Sequence, residues 1–481
     1  MNNKKIVINI LGKLMFFESF FMLAALLVCL IYKEDDAMAF LYSFGITFAG
    51  AAFLTLGSFK KKPDLRKHEG YIIVSLVWVV FSMFGSLPYI FSNAIPDPSG
   101  AFFETMSGFT TTGSSVLNNI EELSHGILFW RSLTQWLGGM GIIVLFLAIL
   151  PKLGIGGREL FIAEVPGPAP DKLTPSIAAT ARKLWGLYII FTLIEAILLY
   201  IGGMNFFDSI NHAFTTMATG GYSTKQASIA YYDSAFIQYI IILFMLIAGT
   251  NFSLSYAAIM GKPQKLFRDE EFRFYCIIIT VVSVLISLGL YFEGSALEQS
   301  IRDSLFTVVS IITTTGFATA DYELWSPFLK MLVLFLMFVG GSAGSTGGGI
   351  KVVRILILIK NSYHELKRLI HPNAVINVKY NKRRVPSNIV TNVMAFLILY
   401  VGVFLVAVIV MSICMPDLDS ALSSVATTLG NIGPGFGNIG PTENFATLPA
   451  WSKYFLSFLM LLGRLELFTV LILFTKAFWK K

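Results

Sequence analysis

One short motif recurs four times along the chain and constrains the fold more than any other feature. Its copies are Thr110-Thr111-Thr112-Gly113, Thr216-Met217-Ala218-Thr219-Gly220, Thr313-Thr314-Thr315-Gly316 and the more distant Thr427-Thr428-Leu429-Gly430. The four glycines lie roughly a hundred residues apart. Each copy follows an apolar segment and a short amphipathic one, and precedes a longer apolar segment that ends in positive charge. The chain is therefore predicted to consist of one unit repeated four times.

Composition places these repeats in a membrane. Of the 481 residues, 55% are hydrophobic and only 14% are charged, too few charges to cover a soluble surface. The net charge of +7 would suit a nucleic-acid binder. However, the basic residues form short runs between apolar segments, as the positive-inside rule requires of a membrane protein. We therefore predict a multi-pass membrane protein with no nucleic-acid partner.

A transmembrane hairpin is predicted before the repeats, in residues 1–66. Its apolar segments, residues 6–32 and 37–59, are each about as long as a bilayer requires. The start resembles a signal peptide, but the apolar run is long, contains Lys13 and Glu18, and lacks a convincing cleavage site. The run Lys60-Lys61-Lys62 marks the return to the cytoplasm.

Each repeat is predicted to contain a spanning helix, a pore half-helix, a filter loop and a second helix. The repeats are assigned to residues 67–170, 171–268, 269–385 and 386–481. The half-helices are predicted at residues 101–110, 206–217, 301–312 and 418–428, and the second helices at 127–150, 236–260, from 328, and 453–479. Every loop between repeats is basic, which places the four motifs outside and both termini in the cytoplasm. The fold class is thus all-α integral membrane, with four units around a central pore.

The repeated loops favour a cation filter. Non-helical backbone at membrane depth must be buried in protein or line a water-filled cavity, because lipid cannot satisfy its polar groups. Loops that meet on one axis can offer carbonyl oxygens in place of the water around a cation. Glycine permits the unusual backbone this needs, and the half-helix C-termini favour positive charge. A single Thr-Thr-Gly is also typical of an ordinary turn, so the repetition carries the prediction.

The repeated motifs resemble those of the Trk/Ktr/HKT superfamily of potassium transport proteins, over nearly the whole chain. The leading hairpin and the length are more similar to the TrkH/TrkG branch than to the shorter KtrB branch. The resemblance implies K⁺ as the transported ion, with no organic cofactor on this chain. By position, it implies a filter formed by Thr111, Thr112, Gly113, Ala218, Thr219, Gly220, Thr314, Thr315, Gly316, Thr428, Leu429, Gly430 and Asn431. The fourth loop departs from the pattern because the bulky Leu429 precedes its glycine, so we expect only moderate preference for K⁺ over Na⁺.

A glycine-rich stretch at residues 340–349 interrupts the second helix of the third repeat. Each glycine costs a helix about 1 kcal/mol relative to alanine, so a continuous helix is disfavoured. In the resemblance this stretch corresponds to an intramembrane gating loop, with Gly340, Gly341, Ser342, Gly344, Gly347, Gly348 and Gly349 as gate residues. A close helix crossing through small residues is the alternative. The stretch also matches the G-x-S-x-G nucleophile elbow, but neither the strand nor the histidine of that motif is visible.

Arg464 and Glu195 are ionisable residues inside apolar segments, which makes each a functional candidate. The resemblance implies that Arg464 lines the pore beneath the filter and belongs with the gate. The alternative is a structural pair with Glu466 or with an acid from another helix. No partner is assigned to Glu195. Acidic residues near the outer ends are expected either to form a negative mouth or to be solvated charges at the membrane interface. They are Glu104, Glu121, Glu122, Asp303, Asp321, Glu323, Asp417 and Asp419.

Partners are inferred from the cytoplasmic side. The loop after the third repeat is the most basic part of the chain and contains Lys351, Arg354, Lys360, Lys367, Arg368, Lys379, Lys382, Arg383 and Arg384. Its charge is explained either by the positive-inside rule or by contact with anionic lipid. The resemblance implies a homodimer in the plasma (inner) membrane of a bacterium, and a cytoplasmic regulatory ring of TrkA type that binds nucleotide. The chain has no nucleotide-binding motif of its own.

Three alternative functions remain open at this stage. A KtrB-like, Na⁺-dependent potassium transport subunit is the nearest, and the leading hairpin disfavours it. A secondary transporter of an organic solute would have inverted repeats with basic loops on alternating sides. An intramembrane enzyme would need clustered catalytic side chains, and the five histidines include no H-E-x-x-H pair.

Overall fold

The computed structural model describes residues 2–56, 67–141, 177–372 and 376–480, and these are predominantly α-helical. The hairpin consists of α1 (Asn2–Tyr32) and α2 (Ala37–Thr55). The first repeat contains α3 (Lys67–Gly85), α4 (Leu87–Phe91), α5 (Pro98–Phe109) and α6 (His125–Gly139). The second contains α7 (Ile177–Ile201), α8 (Phe206–Met217), α9 (Ala235–Ala248), α10 (Phe252–Ile259) and α11 (Gln264–Arg268).

The third and fourth repeats follow the same order. The third contains α12 (Glu270–Phe292), α13 (Leu297–Ile312), α14 (Pro327–Val339), α15 (Val352–Ile370) and the short antiparallel strands β1 (Lys379–Tyr380) and β2 (Arg383–Arg384). The fourth contains α16 (Ser387–Met411), α17 (Leu418–Gly430), α18 (Ala450–Arg464), α19 (Leu467–Leu471) and α20 (Lys476–Trp479). Single 3₁₀ turns occur at Ile120–Glu122, Ser228–Tyr231, Tyr322–Leu324, Gly437–Ile439 and Ile472–Phe474.

The hairpin and the four-unit organisation predicted from the sequence are confirmed. Helices α1 and α2 pack against each other, and α1 packs on α3 and α6 of the first repeat. Within the described residues, six helices are long and apolar enough to cross a membrane, and the bent pairs α9–α10 and α18–α19 raise the number to eight. Residues 57–66, including Lys60-Lys61-Lys62, lie outside the described residues, as do residues 142–150 of the first descending helix and the basic loop after them. The exact limits of the repeats stay predictions.

The second helices are more interrupted than the sequence suggested. The predicted continuous helices at 236–260 and 453–479 are wrong. The first bends by 107° between α9 and α10, and the second by 116° between α18 and α19. With the glycine-rich stretch between α14 and α15, three of the four repeats have a second helix broken near its middle.

The outer helices expose apolar side chains that only lipid can cover. On α16, Ile398 and Ile409 are about 70% exposed, whereas Phe396, Tyr400 and Ala407 on the opposite side are buried. Continuous apolar exposure of this kind marks contact with a non-aqueous environment. The described helices therefore form a multi-pass membrane protein with a buried polar centre.

The four short helices α5, α8, α13 and α17 lie in that centre. Three of them begin with a side chain that accepts hydrogen bonds from the first turn: Asp97 on α5, Asn205 on α8 and Asp417 on α17. Most of their residues are buried, including the polar ones. Each ends directly at one copy of the repeated motif.

Candidate functional site

The four loops that follow the short helices share one backbone conformation. In each, an amide donates a 2.8 Å hydrogen bond to the carbonyl oxygen five residues earlier: Thr112 to Ser107, Gly220 to Thr215, Thr315 to Ser310 and Ile432 to Thr427. The residue before each donor has a positive φ: Thr111 (54°), Thr219 (54°), Thr314 (60°) and Asn431 (55°). The residue after each donor is a glycine with positive φ: Gly113 (85°), Gly221 (75°), Gly316 (81°) and Gly433 (108°). Four identical geometries define four equivalent loops.

This geometry corrects the alignment within two of the repeats. In the second repeat Gly221, not Gly220, is the equivalent of Gly113, because the sequence offers two consecutive glycines and only the second has positive φ. In the fourth repeat the shift is three residues. Thr428 and Leu429, predicted in the filter, lie in the last turn of α17. The equivalent loops are residues 110–113, 218–221, 313–316 and 430–433.

The loops close into a ring. A Cβ atom placed on Gly113 would lie 2.2 Å from the carbonyl oxygen of Gly220 in the second loop. The corresponding distances are 2.0 Å from Gly221 to the Thr315 oxygen, 1.9 Å from Gly316 to the Ile432 oxygen, and 2.9 Å from Gly433 to the Thr112 oxygen. Each glycine therefore contacts the next loop in chain order, and the fourth contacts the first. A side chain at these positions would force the loops apart.

Asn431 replaces threonine in the fourth loop. Asparagine tolerates the left-handed conformation because its short polar side chain can hydrogen-bond locally. Its amide donates 2.9 Å hydrogen bonds to Thr112 Oγ1 in the first loop and to the Met460 carbonyl oxygen in α18. The residue thus ties the divergent fourth loop to the first one.

A buried polar network supports the first two loops. Arg131 of α6 and Glu104 of α5 form a 2.7 Å ion pair whose side chains are 3% and 0% exposed. The carboxylate of Glu104 also accepts from the backbone amide of Val116 at 2.9 Å. Tyr222 stacks beneath the guanidinium of Arg131, with its ring centre 3.6 Å away. The pair therefore joins α6 to the pore helix α5 and the segments after both loops.

Gln135 makes the second loop different from the others. Its Nε2 donates a 2.6 Å hydrogen bond to the carbonyl oxygen of Gly220, and its Oε1 accepts from the amide of Tyr222 at 3.1 Å. Sequence reasoning did not find Gln135 or the Arg131–Glu104 pair. All three are polar residues in apolar or pore-helix segments, and that position was the available signal.

The glycine-rich stretch between α14 and α15 is a loop packed against the ends of the pore helices. The amide of Gly348 donates a 2.7 Å hydrogen bond to Thr314 Oγ1 in the third loop. Thr346 Oγ1 donates to the carbonyl oxygen of Met217 at the end of α8, at 3.2 Å. A Cβ atom on Gly348 would lie 2.4 Å from the carbonyl oxygen of Gly430 in the fourth repeat. The stretch thus contacts three repeats directly, which a simple helix crossing does not explain.

Arg464 completes these contacts with the first repeat. Its guanidinium donates to Thr111 Oγ1 at 3.1 Å and to the carbonyl oxygen of Thr346 at 2.7 Å. It also donates to the carbonyl oxygens of Gly138 and Gly139 at the end of α6, at 2.5 and 2.8 Å. A pair between Arg464 and Glu466 does not form. Glu466 instead binds Arg354 at 2.5 Å.

The helix break of the second repeat also holds the glycine-rich loop. The carbonyl oxygen of Gly249, between α9 and α10, accepts from the amide of Ser342 at 2.9 Å. The amide of Phe252 in turn donates to the carbonyl oxygen of Gly344 at 3.1 Å. The backbone groups left without helical partners at this break therefore hydrogen-bond to those of the glycine-rich loop. Buried non-helical backbone requires such partners.

The eight carboxylates predicted near the outer ends do not line the cavity next to the ring. A cavity of about 80 Å³ above the ring is lined by the four loop glycines Gly113, Gly221, Gly316 and Gly433. The acidic residue in its lining is Glu443, and none of the eight predicted carboxylates contributes. Glu104, for example, is fully buried against Arg131. Glu121, Glu122, Asp417 and Asp419 are exposed, whereas Asp303, Asp321 and Glu323 are half-buried.

The basic segment after the third repeat divides into two parts. Lys351 and Arg354 are buried beneath the glycine-rich loop, so their predicted place on the cytoplasmic surface is wrong. Lys382, Arg383 and Arg384 are exposed and line a cavity of about 770 Å³, together with Lys265 and Arg268. Glu195 is fully buried on α7, and neither of its carboxylate oxygens has a hydrogen-bond partner in the described part of the chain.

Taken together, these helices and loops define a multi-pass membrane protein in which four re-entrant loops close around one axis. The family model TrkH, described as a cation transport protein, matches residues 37–481, so the chain belongs to the TrkH family. The resemblance to the TrkH/TrkG branch is therefore confirmed.

Three relatives agree with this assignment. The Trk system potassium uptake protein TrkH of Escherichia coli K12 is 43% identical over 483 residues, covering 99% of each chain. TrkG of the same organism is 36% identical over 482 residues, again covering 99% of each chain. The crystal structure of the potassium transporter TrkH from Vibrio parahaemolyticus matches with a TM-score of 0.89 and 40% identity, and covers 99% of each chain.

Proposed function

We propose that this protein carries K⁺ into a bacterial cell through the ring of four loops. The closed contact from Gly113 through Gly221 and Gly316 to Gly433 is the observation that carries the proposal, because it brings one loop of every repeat to a common axis. The relatives that share this fold over their whole length are named for potassium uptake. No covalent chemistry takes part.

The ion-binding oxygens belong to the loop backbones. Thr112, Gly220, Thr315 and Ile432 supply one equivalent carbonyl group each, next to the ring glycines. Such carbonyls replace the hydration shell of a cation. Gln135 donates a hydrogen bond to the Gly220 carbonyl oxygen, which leaves that oxygen less available to an ion. The four carbonyl groups are therefore not equivalent. We therefore expect K⁺ and Rb⁺ to be preferred over Na⁺ only moderately.

The glycine-rich loop acts as the gate. Its contacts with Met217, Thr314 and Gly430 place it at the C-terminal ends of three pore helices, and Arg464 links it to the fourth. A loop in that position obstructs the path of an ion that has passed the ring. Arg464 adds a positive charge beside the path, which opposes a cation.

The assembly follows the family. We propose a homodimer with one pore in each protomer, in the inner membrane, with both termini in the cytoplasm. A TrkA-type ring that binds nucleotide regulates the gate from the cytoplasmic side. The exposed basic hairpin β1–β2 and the cavity beside it support a contact there with acidic groups of such a partner.

Uptake of radioactive Rb⁺ into proteoliposomes tests the proposal. Purified protein is reconstituted with and without its ring partner, and unlabelled K⁺, Na⁺ or an organic solute is added as competitor. We expect Rb⁺ uptake that K⁺ blocks more strongly than Na⁺ does, while the organic solute has no effect. The variant Gly316→Asp is expected to abolish this uptake, since a side chain there collides with Ile432.

Absence of Rb⁺ uptake even with the ring partner present would refute the proposal. Rb⁺ uptake that occurs only when Na⁺ is present would instead support Na⁺-dependent transport. Inhibition by the organic solute would point to a secondary transporter.

A further inference from the structure

A cluster of charged side chains beneath the glycine-rich loop has no part in the ion path described so far. It contains Lys351 and Arg354 at the start of α15, Glu271 at the start of α12, and Glu466. Lys351 follows the loop directly, and Glu466 lies in the break between α18 and α19. Lys351 and Arg354 are 5% and 8% exposed. Charges buried this deeply require partners, because desolvation is costly.

Lys351 is held in an unfavourable backbone conformation. Its φ of 79° and ψ of 133° lie close to a region that is essentially reserved for glycine. Its ammonium group donates to the carbonyl oxygen of Gly347 in the loop. Within the described ranges it forms no ion pair, although it lies three residues before Arg354, whose amide binds the Lys351 carbonyl oxygen and whose guanidinium binds Glu466. The ammonium therefore binds a neutral oxygen, while the neighbouring arginine holds the carboxylate.

Glu466 is the complementary case. Its backbone is also unfavourable, with φ of 60° and ψ of 145°. Its Oε2 accepts from Arg354 at 2.5 Å. Its Oε1 is buried and has no hydrogen-bond partner among the described residues. A carboxylate oxygen in that state offers an open position for a donor.

Glu271 is bound to the loop itself. Its Oε1 already accepts from the amide of Ala343 in the loop at 2.7 Å and from the amide of Val353 at 3.2 Å. Arg354 is likewise occupied, since it binds Glu466 and donates to the Ile350 carbonyl oxygen at 3.0 Å. Arg464 carries the same charge as Lys351 and repels it. Oε1 of Glu466 is therefore an open, buried acceptor for Lys351 once the loop is displaced.

We propose that Lys351 and Glu466 form a switch pair that controls the glycine-rich loop. In the closed state Lys351 holds the loop through the Gly347 carbonyl oxygen. When the loop moves aside, the ammonium group transfers to Oε1 of Glu466, which stabilises the open state. The inference rests on the proposed function, in which this loop is the gate.

Two variants and their combination test the pair by Rb⁺ flux. Lys351→Met removes the closed-state bond and is expected to raise the flux without ring partner about tenfold, the effect of one hydrogen bond to a charged group. Glu466→Gln removes the negative charge that holds the ammonium in the open state and is expected to lower flux in the otherwise unchanged protein. In the Lys351→Met background, Glu466→Gln is expected to have no further effect. Lys351→Arg is the matched control, because it keeps a donor.

A second measurement reads loop movement without ion flux. Ser342 in the loop is 2% exposed and its hydroxyl has no described partner, so Ser342→Cys is a mild change. In a background without Cys29, Cys276 and Cys414, the rate of thiol labelling at position 342 reports how often the loop opens. We expect faster labelling with Lys351→Met, slower labelling with Glu466→Gln, and no effect of Glu466→Gln once Lys351 is replaced.

The outcomes separate the pair from the proposed function. If Glu466→Gln slows labelling equally in both backgrounds and Arg354→Gln reproduces it, Glu466 acts through Arg354 and the pair is refuted. Unchanged or slower labelling with Lys351→Met also refutes it, and Lys351→Gln replaces that variant if Lys351→Met does not fold. If labelling behaves as expected but the protein carries no Rb⁺, the pair stands and the transport proposal fails.

Discussion

The carbonyl oxygen of Ile432 lies 1.9 Å from the position that a Cβ atom on Gly316 would occupy. The two residues belong to adjacent loops of the ring, so the absence of a side chain at Gly316 sets how closely the third and fourth loops approach. A φ of 81° adds a second reason for glycine at this position. The absence of a Cβ atom at Gly316 therefore permits both the closure of the ring and the backbone conformation of the loop.

Gly316→Ala is expected to abolish Rb⁺ uptake while leaving the protein in the membrane. The methyl group collides with a backbone oxygen that cannot move without opening the ring, and the left-handed conformation costs roughly 1–2 kcal/mol. Uptake in proteoliposomes is the measurement. Gly402→Ala on the lipid-facing helix α16 is the matched control, because a Cβ there meets no atom within 4 Å. Normal uptake in Gly316→Ala would contradict the ring.

Arg464→Gln is expected to increase Rb⁺ flux in the absence of the ring partner. Arg464 binds Thr111 and Thr346 and so fastens the loop to the first repeat. Loss of one hydrogen bond from a charged group, worth about 1.5–3 kcal/mol, corresponds to a tenfold or larger change in loop opening. Arg368→Gln, on the exposed part of α15, serves as control. A flux equal to that of the unaltered protein would show that Arg464 does not restrain the loop.

Glu104→Gln is expected to destabilise the fold strongly. It leaves the buried guanidinium of Arg131 without a counter-charge, a change that costs about 3–5 kcal/mol. The midpoint of thermal unfolding in detergent measures the effect. Glu365→Gln, at the exposed pair with Arg368, should cost less than about 1 kcal/mol. Equal midpoints for the two variants would refute the structural role of the Glu104–Arg131 pair.

Asp97 is expected to stabilise the first pore helix in a pH-dependent way. The hydroxyl of Ser99 donates to its carboxylate at 2.5 Å and lowers the pKa of Asp97, with help from two backbone amides and Lys453 and against partial burial. Because the folded-state pKa lies below the unfolded one, the stabilisation is present above about pH 4 and is lost as pH falls through the folded-state pKa.

Asp97→Ala tests this pH dependence. The variant should lose about 1 kcal/mol of stability near neutral pH and less once the carboxyl is protonated, since a neutral carboxyl accepts more weakly. The midpoint of thermal unfolding, recorded near neutral pH and at a pH where the carboxyl is protonated, measures the loss. Asp36→Ala is the control, since Asp36 caps α2 without a side-chain hydrogen bond. A loss of the same size at low pH would contradict the assignment.

Much of the fold follows from local properties of the sequence. The helix α8 begins and ends at the predicted residues, Phe206 and Met217, because its amphipathic pattern and its Asn205 cap are both local. The hairpin and the glycine-rich interruption at 340–349 also follow from local sequence. The breaks at 249–251 and 465–466 were missed, since one glycine, or none, does not mark a break in sequence. At 249–251 the glycine-rich loop of the third repeat satisfies the freed backbone groups, and at 465–466 the side chain of Glu466 binds Arg354 of the third repeat.

The sequence by itself determined that the chain crosses a membrane, that four units repeat, and that each carries a glycine loop. These features depend on hydropathy, charge and residue type along the chain. Only the tertiary structure decided which residues are equivalent, placing Gly221 and Gly433 beside Gly113 and Gly316 and leaving Leu429 in a helix. Equivalence depends on backbone conformation and on contacts between residues hundreds of positions apart. The same is true of the partners of Arg464, Lys351 and Glu466, because a buried charge is satisfied by whichever group the fold brings to it.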